Sequence, residues 1–178
     1  MTARDQRPTR KQRRQRRLAA LTPAEREDSL RRVPVYLQVW LSALDAQAAR
    51  LRELSVINGG PDTWLYALAL GATLRAVHLA AFLGVNTADA LARFDAAVPD
   101  AKTVRDVLEH LEDYELGVGD LQPPGQRRLE FLYCSDDEGM SYIELQGVGV
   151  RLDIREAHAA VHQLVEDTEA AVAAALDA

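Results

Sequence analysis

The stretch that decides the fold is residues 64–82, WLYALALGATLRAVHLAAF, which would be apolar on nearly every face of a helix. Such a helix has to be surrounded by other elements, because water would otherwise meet apolar side chains. Arg75 and His78 interrupt the run, so we interpret it as a core helix rather than a membrane span. We therefore expect the central helix of a bundle, with Arg75 and His78 hydrogen-bonded in the core.

Helical periodicity extends on both sides of this stretch. Tyr36 and Trp40 stand at helical positions before it, and we expect both aromatic rings in the core. Four further helices are predicted, beginning at Val33-Pro34, near Asn86 or Thr87, near Thr103 and at Arg155.

Between the last two predicted helices the pattern changes from helical to alternating. Residues 127–134, 141–146 and 148–154 predict strands, and residues 136–139 predict a hairpin turn. A chain of 178 residues is long enough for one domain with a core. We therefore predict a mainly α fold, an up-and-down helical bundle with a small antiparallel β insertion at about residues 127–153 before the last helix.

The N-terminal arm is strongly basic, whereas the rest of the chain is acidic. Residues 1–17 carry eight basic side chains against Asp5 alone, so the net charge of −6 divides into +7 for this segment and −13 for the remainder. Without apolar periodicity, such a segment is predicted to be disordered in isolation. We expect residues 1–32 to be a disordered arm and linker, and residues 33–178 to form the domain.

Arginine runs of this kind are typical of segments that bind RNA through its phosphates. The alternative is a solvated tail, or one that folds back on the acidic body. The candidate nucleic-acid-binding residues are Arg10, Lys11, Arg13, Arg14, Arg16 and Arg17.

Few features point to a cofactor or a metal. No P-loop, dinucleotide fingerprint, paired-cysteine motif or nucleophile elbow occurs, so we expect no cofactor. His158 and His162 are four residues apart with Glu166 continuing the row, but EAHAAVHQ lacks a complete metal-binding signature, so both histidines are weak candidates. The single cysteine, Cys134, and the absence of a secretory signal predict a cytoplasmic protein without a membrane partner.

The residue types needed for chemistry cluster in residues 105–114, RDVLEHLEDY. Arg105 supplies a cation for a phosphate and His110 an imidazole for proton transfer, which together suit phosphodiester cleavage without a metal. Asp106, four residues before His110, can hold the imidazole in one tautomer, and Tyr114 continues the same stripe.

Helical geometry sets a condition on this site. Thr103 and Asp106 fit a capping box, which would place Arg105 in the first turn of its helix. Arg105 and His110 then lie roughly 140° apart, and both point away from the apolar face. A site made from them needs a second surface, either another helix or a symmetric partner chain, and Arg75 is a candidate for the same cleft.

A helical bundle whose late helix carries an arginine, a polar residue and then a histidine four to six positions after the arginine resembles the HEPN superfamily, the higher eukaryotes and prokaryotes nucleotide-binding domain. The match is Arg105, Asp106 and His110, and as architecture it covers roughly residues 33–178. HEPN proteins are typically dimeric, and many are metal-independent ribonucleases of toxin, antiviral and RNA-processing systems. Residues 105–122 also resemble uncharacterised actinobacterial proteins, a likeness that brings no function.

The HEPN resemblance implies a homodimer that acts on RNA and can have a neutralising protein partner such as an antitoxin. Arg105 would stabilise the phosphate, His110 would transfer the proton, and Asp106 would give polar support. Carboxylates at Glu109 and Glu112 repel a phosphate backbone, however. The alternative function is therefore a noncatalytic helical adaptor whose basic arm contacts nucleic acid or an acidic partner.

Overall fold

The structure, a computed structural model, describes residues 9–53, 60–109, 131–135, 141–145 and 148–178. It confirms a mainly helical fold with a small antiparallel sheet before the last helix. In chain order the described elements are α1 (Arg10–Ala19), α2 (Pro23–Glu53), α3 (Gly60–Phe82), α4 (Ala88–Ala97), α5 (Ala101–Glu109), β1 (Phe131–Ser135), β2 (Ser141–Leu145), β3 (Val150–Asp153) and α6 (Ile154–Leu176).

Helix α3 is the core helix that its sequence predicts, and it contacts α2, α5, α6 and β1. Tyr66 is fully buried, and its hydroxyl donates a hydrogen bond to the Ile154 carbonyl, 3.3 Å away, at the start of α6. Burial raises the pKa of Tyr66 well above its usual value. Within the described segments one helix, Pro61–Phe82, is long and apolar enough to cross a membrane, but 61% of its most apolar window is buried in the fold, as in a core helix.

Helix α2 begins ten residues before the predicted start at Val33. A capping box at Thr22 explains this start: the Thr22 hydroxyl accepts from the Glu25 backbone N–H (3.2 Å), and the Glu25 carboxylate accepts from the Thr22 N–H (2.8 Å). Pro34 lies inside the helix, and Leu30 belongs to the core. The domain therefore begins within residues 1–32, which the sequence assigned to the arm and linker.

Residues 10–19 of the basic arm form helix α1, whereas their composition predicts disorder. Thr9 and Gln12 make reciprocal hydrogen bonds of 2.9 and 3.2 Å that cap its first turn. Leu18 and Leu21, just past the arginine run, pack partly buried against the core. These two leucines attach the arm to the domain, which a composition dominated by arginine does not reveal.

Helix α4 lies between Thr87 and Pro99, as predicted. Helix α5 already begins at Ala101, so the predicted capping box of Thr103 and Asp106 is wrong and Arg105 lies in the second turn. The Asp100 carboxylate, just before the helix, accepts a hydrogen bond from the Arg151 backbone N–H, 2.9 Å away on β3. This bond fixes the start of α5 against the sheet.

The sheet is antiparallel with strand order β1-β2-β3. Ile143, Leu145 and Leu152 are fully buried, so the sheet packs its apolar side onto the helices. Asp153 ends β3 and caps α6, since its Oδ1 accepts from the backbone N–H groups of Arg155 (2.8 Å) and Glu156 (2.9 Å). The predicted hairpin turn at residues 136–139 lies outside the described residues.

The end of α3 depends on a glycine. Gly84 has φ +93°, and a Cβ built there would overlap Nη2 of Arg26. The Arg26 side chain occupies this space because its Nε donates to the Leu83 carbonyl, 2.7 Å away, at the C-terminal end of α3.

Gly84→Ala is expected to destabilise the protein by about 2–3 kcal/mol, because left-handed strain of roughly 1–2 kcal/mol adds to the displacement of Arg26. Gly149→Ala is the matched control, since Gly149 has φ +72° and a Cβ built there meets nothing within 4 Å. Gly149→Ala is expected to lower the free energy of unfolding only by the left-handed strain that it introduces, about 1–2 kcal/mol. Urea unfolding measures both changes, and equal losses would contradict the contribution of Arg26.

Candidate functional site

A pocket of about 320 Å³ opens where α3, α4 and α5 meet. Its lining residues are Leu74 and His78 from α3, Leu91 and Asp95 from α4, and Lys102 and Arg105 from α5. Two of these side chains are cationic, a third is an imidazole, and Asp95 is the acidic one. We call this the Arg105 pocket, and its charge suits an anionic ligand.

Arg105 lies against α3, although helical geometry predicted that it points away from its own core. Its side chain is only 20% exposed, and a Cβ built on Gly71 would lie 3.3 Å from Arg105 Cγ. The absence of a side chain at Gly71 thus leaves room for the stem of Arg105. For Arg105, helix α3 supplies a second surface, which is one of the two possibilities that the sequence left open.

The guanidinium of Arg105 is held by its neighbour Asp106. Arg105 Nε and Nη2 both donate to Asp106 Oδ1, at 3.0 and 2.5 Å. These two hydrogen bonds use two of the five N–H donors of an arginine and fix the direction of the guanidinium plane. Asp106 therefore supports Arg105 directly, whereas the sequence assigned it to the imidazole of His110.

Arg75 and His78 are exposed, so the prediction that both lie in the core is wrong. They share a face of α3 with Gly71, because their spacing is i, i+4 and i+7. The same Cβ position on Gly71 is 3.9 Å from Arg75 Nη1, which brings Arg75 to the side of α3 where Arg105 lies. Arg75 thus lies on the same side of α3 as Arg105, but it is not among the residues that line the pocket.

The pKa of His78 is below its usual value. Partial burial of the imidazole, which lines the Arg105 pocket although the residue as a whole is exposed, is the main cause; the positive charge of Arg105 also lowers the pKa, and Asp95 opposes this. A lowered pKa favours the neutral imidazole at neutral pH, and that is the form that accepts a proton.

Arg105→Gln is expected to raise the pKa of His78, because the change removes a nearby positive charge and keeps a polar side chain. NMR titration of the imidazole measures this pKa directly. Arg93→Gln is the control, since Arg93 is paired with Asp167 at 2.7 Å on the other side of α4. A His78 pKa that stays the same or falls in Arg105→Gln would show that the two residues are not coupled.

The rest of the predicted catalytic set is not described. His110 and Tyr114 lie outside the described residues. The six candidate residues of the basic arm all fall on α1, and the side chains of Arg13, Arg16 and Arg17 are exposed. The side chains of Arg10, Lys11 and Arg14 also lie outside the described part of the chain.

The two histidines of α6 belong to a second polar cluster, which also includes an aspartate of α2. His158 Nε2 and His162 Nε2 each lie 2.8 Å from Oδ1 of Asp45 on α2. Glu166, which the sequence placed next in this row, is exposed and is not part of the group. We call Asp45, His158 and His162 the Asp45 cluster.

Sequence reasoning missed several of these residues. Lys102 stands three residues before Arg105, so helical spacing alone could have placed it on the same side. Local spacing gives no such signal for His78, Asp95 and Asp45. Each of them lies on a different helix from the site residues that the sequence had selected, so only the packing of helices brings it to the site.

Comparison of the chain with models of known protein families, with curated proteins and with solved structures gives no match. The HEPN resemblance therefore stays a prediction based on Arg105, Asp106 and His110.

Proposed function

We propose that this protein is a metal-independent ribonuclease of the HEPN type that acts as a homodimer in the cytoplasm. The observation that supports this most is the Arg105 pocket, which brings Arg105, Lys102 and His78 together. Its volume of about 320 Å³ is at the lower end of small-ligand sites and suits a phosphate with part of its sugar.

In the proposed reaction, the 2′-oxygen of RNA attacks the neighbouring phosphorus and the bond to the 5′-oxygen breaks. Arg105 and Lys102 stabilise the negative charge that develops on the phosphoryl oxygens. Neutral His78 accepts the proton of the 2′-hydroxyl, and His110, the proton-transfer residue of the resemblance, donates one to the departing 5′-oxygen. Asp106 keeps the guanidinium of Arg105 oriented throughout.

The homodimer is supported by apolar side chains left uncovered on α2. Val35, Tyr36, Val39 and Trp40 are 40–59% exposed, so the prediction that Tyr36 and Trp40 lie in the core is wrong. Their spacing of i, i+1, i+4 and i+5 gives one stripe along the helix. A continuous exposed apolar stripe with two aromatic residues is typical of a protein–protein interface, and a second copy of the chain would bury it.

Val39→Asp is expected to convert the dimer into a monomer, because it places a charge in the middle of this stripe. Sedimentation velocity on the full chain gives the oligomeric state. A wild-type chain that is monomeric at micromolar concentration would refute the dimer without testing the pocket.

The decisive assay follows cleavage of single-stranded RNA in excess EDTA. Wild-type protein is expected to cleave it, and His110→Ala and His78→Ala are each expected to lower the rate by about 10²–10⁴-fold, because each removes a proton-transfer group. Arg93→Ala serves as a control outside the pocket. Cleavage that needs an added metal ion, or that is undiminished in both histidine variants, would refute the assignment.

The second candidate is a noncatalytic adaptor, favoured by the exposed arginines on α1. Deleting residues 1–17 would then reduce RNA affinity and flatten its dependence on salt, because fewer counterions are released on binding. Filter binding at several salt concentrations measures both. RNA binding that disappears with the arm, in a protein that shows no cleavage, would favour the adaptor.

A further inference from the structure

The Asp45 cluster presents three potential metal ligands to one point. Asp45 comes from the C-terminal half of α2, while His158 and His162 are one turn apart on α6. All three ligand atoms lie within 4.8 Å of one another. The imidazole rings are tilted by 55° with centroids 4.6 Å apart, so they converge on the carboxylate instead of stacking flat on each other.

Hydrogen bonds on both sides of the cluster hold α6 in place, one from α2 and one from α3. Further along the same seam, Gln38 Nε2 on α2 donates to Glu169 Oε1 on α6, 2.8 Å away. At the other end, the first residue of α6 is buried and accepts the hydrogen bond of Tyr66. The ligands therefore project from helices that are packed and hydrogen-bonded to their neighbours, which is the setting in which a metal site keeps its geometry.

We propose that the Asp45 cluster binds one divalent transition-metal ion of the Zn²⁺ class through His158 Nε2, His162 Nε2 and an Asp45 carboxylate oxygen. Two imidazoles and one carboxylate are a ligand set that zinc and neighbouring transition metals accept. Ca²⁺ and Mg²⁺ are disfavoured, because both prefer oxygen ligands.

Metal binding would change the separations between the three ligand atoms by different amounts. Zinc with bonds of about 2.0–2.1 Å in tetrahedral geometry holds its ligand atoms roughly 3.3 Å apart. Each 2.8 Å separation would have to widen by about 0.5 Å, and the separation between the two Nε2 atoms, which is within 4.8 Å, would have to approach the same value. The three side chains are 25–46% exposed, so water borders part of each and the side chains have room to turn. The metal would replace the hydrogen bonds that now join both imidazoles to Asp45.

A pocket of about 260 Å³ beside His158 provides an entry path and space for a further ligand. Arg52 of α2 and Arg155 of α6 line this pocket. Their positive charges favour an anionic group over water as the additional ligand of the metal. Three protein ligands with an open position are typical of zinc sites that bind an exchangeable ligand.

This metal site is separate from the proposed ribonuclease activity. The Asp45 cluster lies between α2 and α6, whereas the Arg105 pocket is formed by α3, α4 and α5. RNA cleavage in EDTA and metal binding can therefore succeed or fail independently of each other.

Titration of untagged, EDTA-treated and dialysed full-length protein with Zn²⁺ tests the proposal by calorimetry, and Co²⁺ tests it by the visible absorption of a four-coordinate ion. We expect one equivalent to bind. Loss of a group that only supports a metal ligand weakens metal binding by about 10–100-fold. Loss of a ligand itself should have a larger effect, so we expect Zn²⁺ affinity to fall by about 100-fold or more in each of three variants, Asp45→Asn, His158→Gln and His162→Gln. Zn²⁺ at 100 times its Kd is also expected to raise the Tm by about 5–10 °C.

Glu166→Gln and His78→Gln are the matched controls. Glu166 is the ligand that sequence spacing suggests, and His78 is a histidine of the other site, so both variants should bind Zn²⁺ as the wild type does. Asp45→Asn keeps the size of the side chain, and circular dichroism verifies that each variant is folded. Absence of stoichiometric binding by the wild type, or undiminished binding by His158→Gln/His162→Gln, would overturn the proposal and leave the cluster as a hydrogen-bonded contact between α2 and α6.

Discussion

Arg105→Ala is expected to lower the rate of RNA cleavage in EDTA by about 10²–10³-fold, which is the usual effect of removing one preorganised group that stabilises transition-state charge. Arg105 is suited to this role because its side chain is largely buried and Asp106 fixes its guanidinium with two hydrogen bonds. Because the guanidinium of Arg105 is already oriented, it loses little orientational freedom when negative charge develops on the phosphoryl oxygens. Its interaction energy therefore goes into stabilising the transition state.

Two comparisons separate this loss from a general defect. Arg105→Lys keeps the charge but lacks the planar group that Asp106 orients, so its rate should fall between those of the wild type and Arg105→Ala. Arg93→Ala removes an exposed arginine that pairs with Asp167 and should leave the rate unchanged. Equal rates for wild type and Arg105→Ala, with both proteins folded, would exclude the Arg105 pocket as the site of cleavage.

Leu70→Ala is expected to lower the free energy of unfolding by about 2–5 kcal/mol, because it leaves a cavity in the core. Leu70 is 1% exposed on α3, the core helix, which contacts α2, α5, α6 and β1. Urea or thermal unfolding of the purified variant gives the loss directly.

Leu68→Ala offers a close comparison, since it makes the same chemical change two residues earlier on the same helix. Leu68 is 46% exposed, so its truncation is expected to cost less than about 1 kcal/mol. Similar losses at both positions would mean that Leu68 is also covered, for example by a second copy of the chain, and would contradict the burial pattern of the isolated chain.

Much of the architecture could be predicted from the sequence. Residues 64–82 are too apolar to face water, Thr87 and Pro99 bracket α4, and alternating residues predict strands before α6. The start of α2 was missed because Pro34 suggested a first turn, although the capping residues Thr22 and Glu25 were present in the sequence. Helix α1 was not predicted because its arginine-rich composition is typical of disorder. The two leucines that follow the arginines become partly buried only when the domain folds.

The candidate sites were predictable only in part. Arg105 and its neighbour Asp106, and the pair His158 and His162, could be selected because helical spacing relates residues that are close in the chain. Asp45, by contrast, lies 113 positions before His158, and nothing in the local pattern distinguishes it from the other acidic residues.

The sequence by itself determined the helical class, the central position of α3 and the residue types available for chemistry, since hydrophobic periodicity and capping act over a few residues. The tertiary structure alone decided which of these residues meet. Packing of α5 over Gly71 brought Arg105 to His78, and packing of α6 along α2 brought two histidines to Asp45. Both sets of contacts depend on which face each helix turns towards its neighbours when apolar side chains are buried. That orientation is a property of the whole core and is not encoded in any single segment.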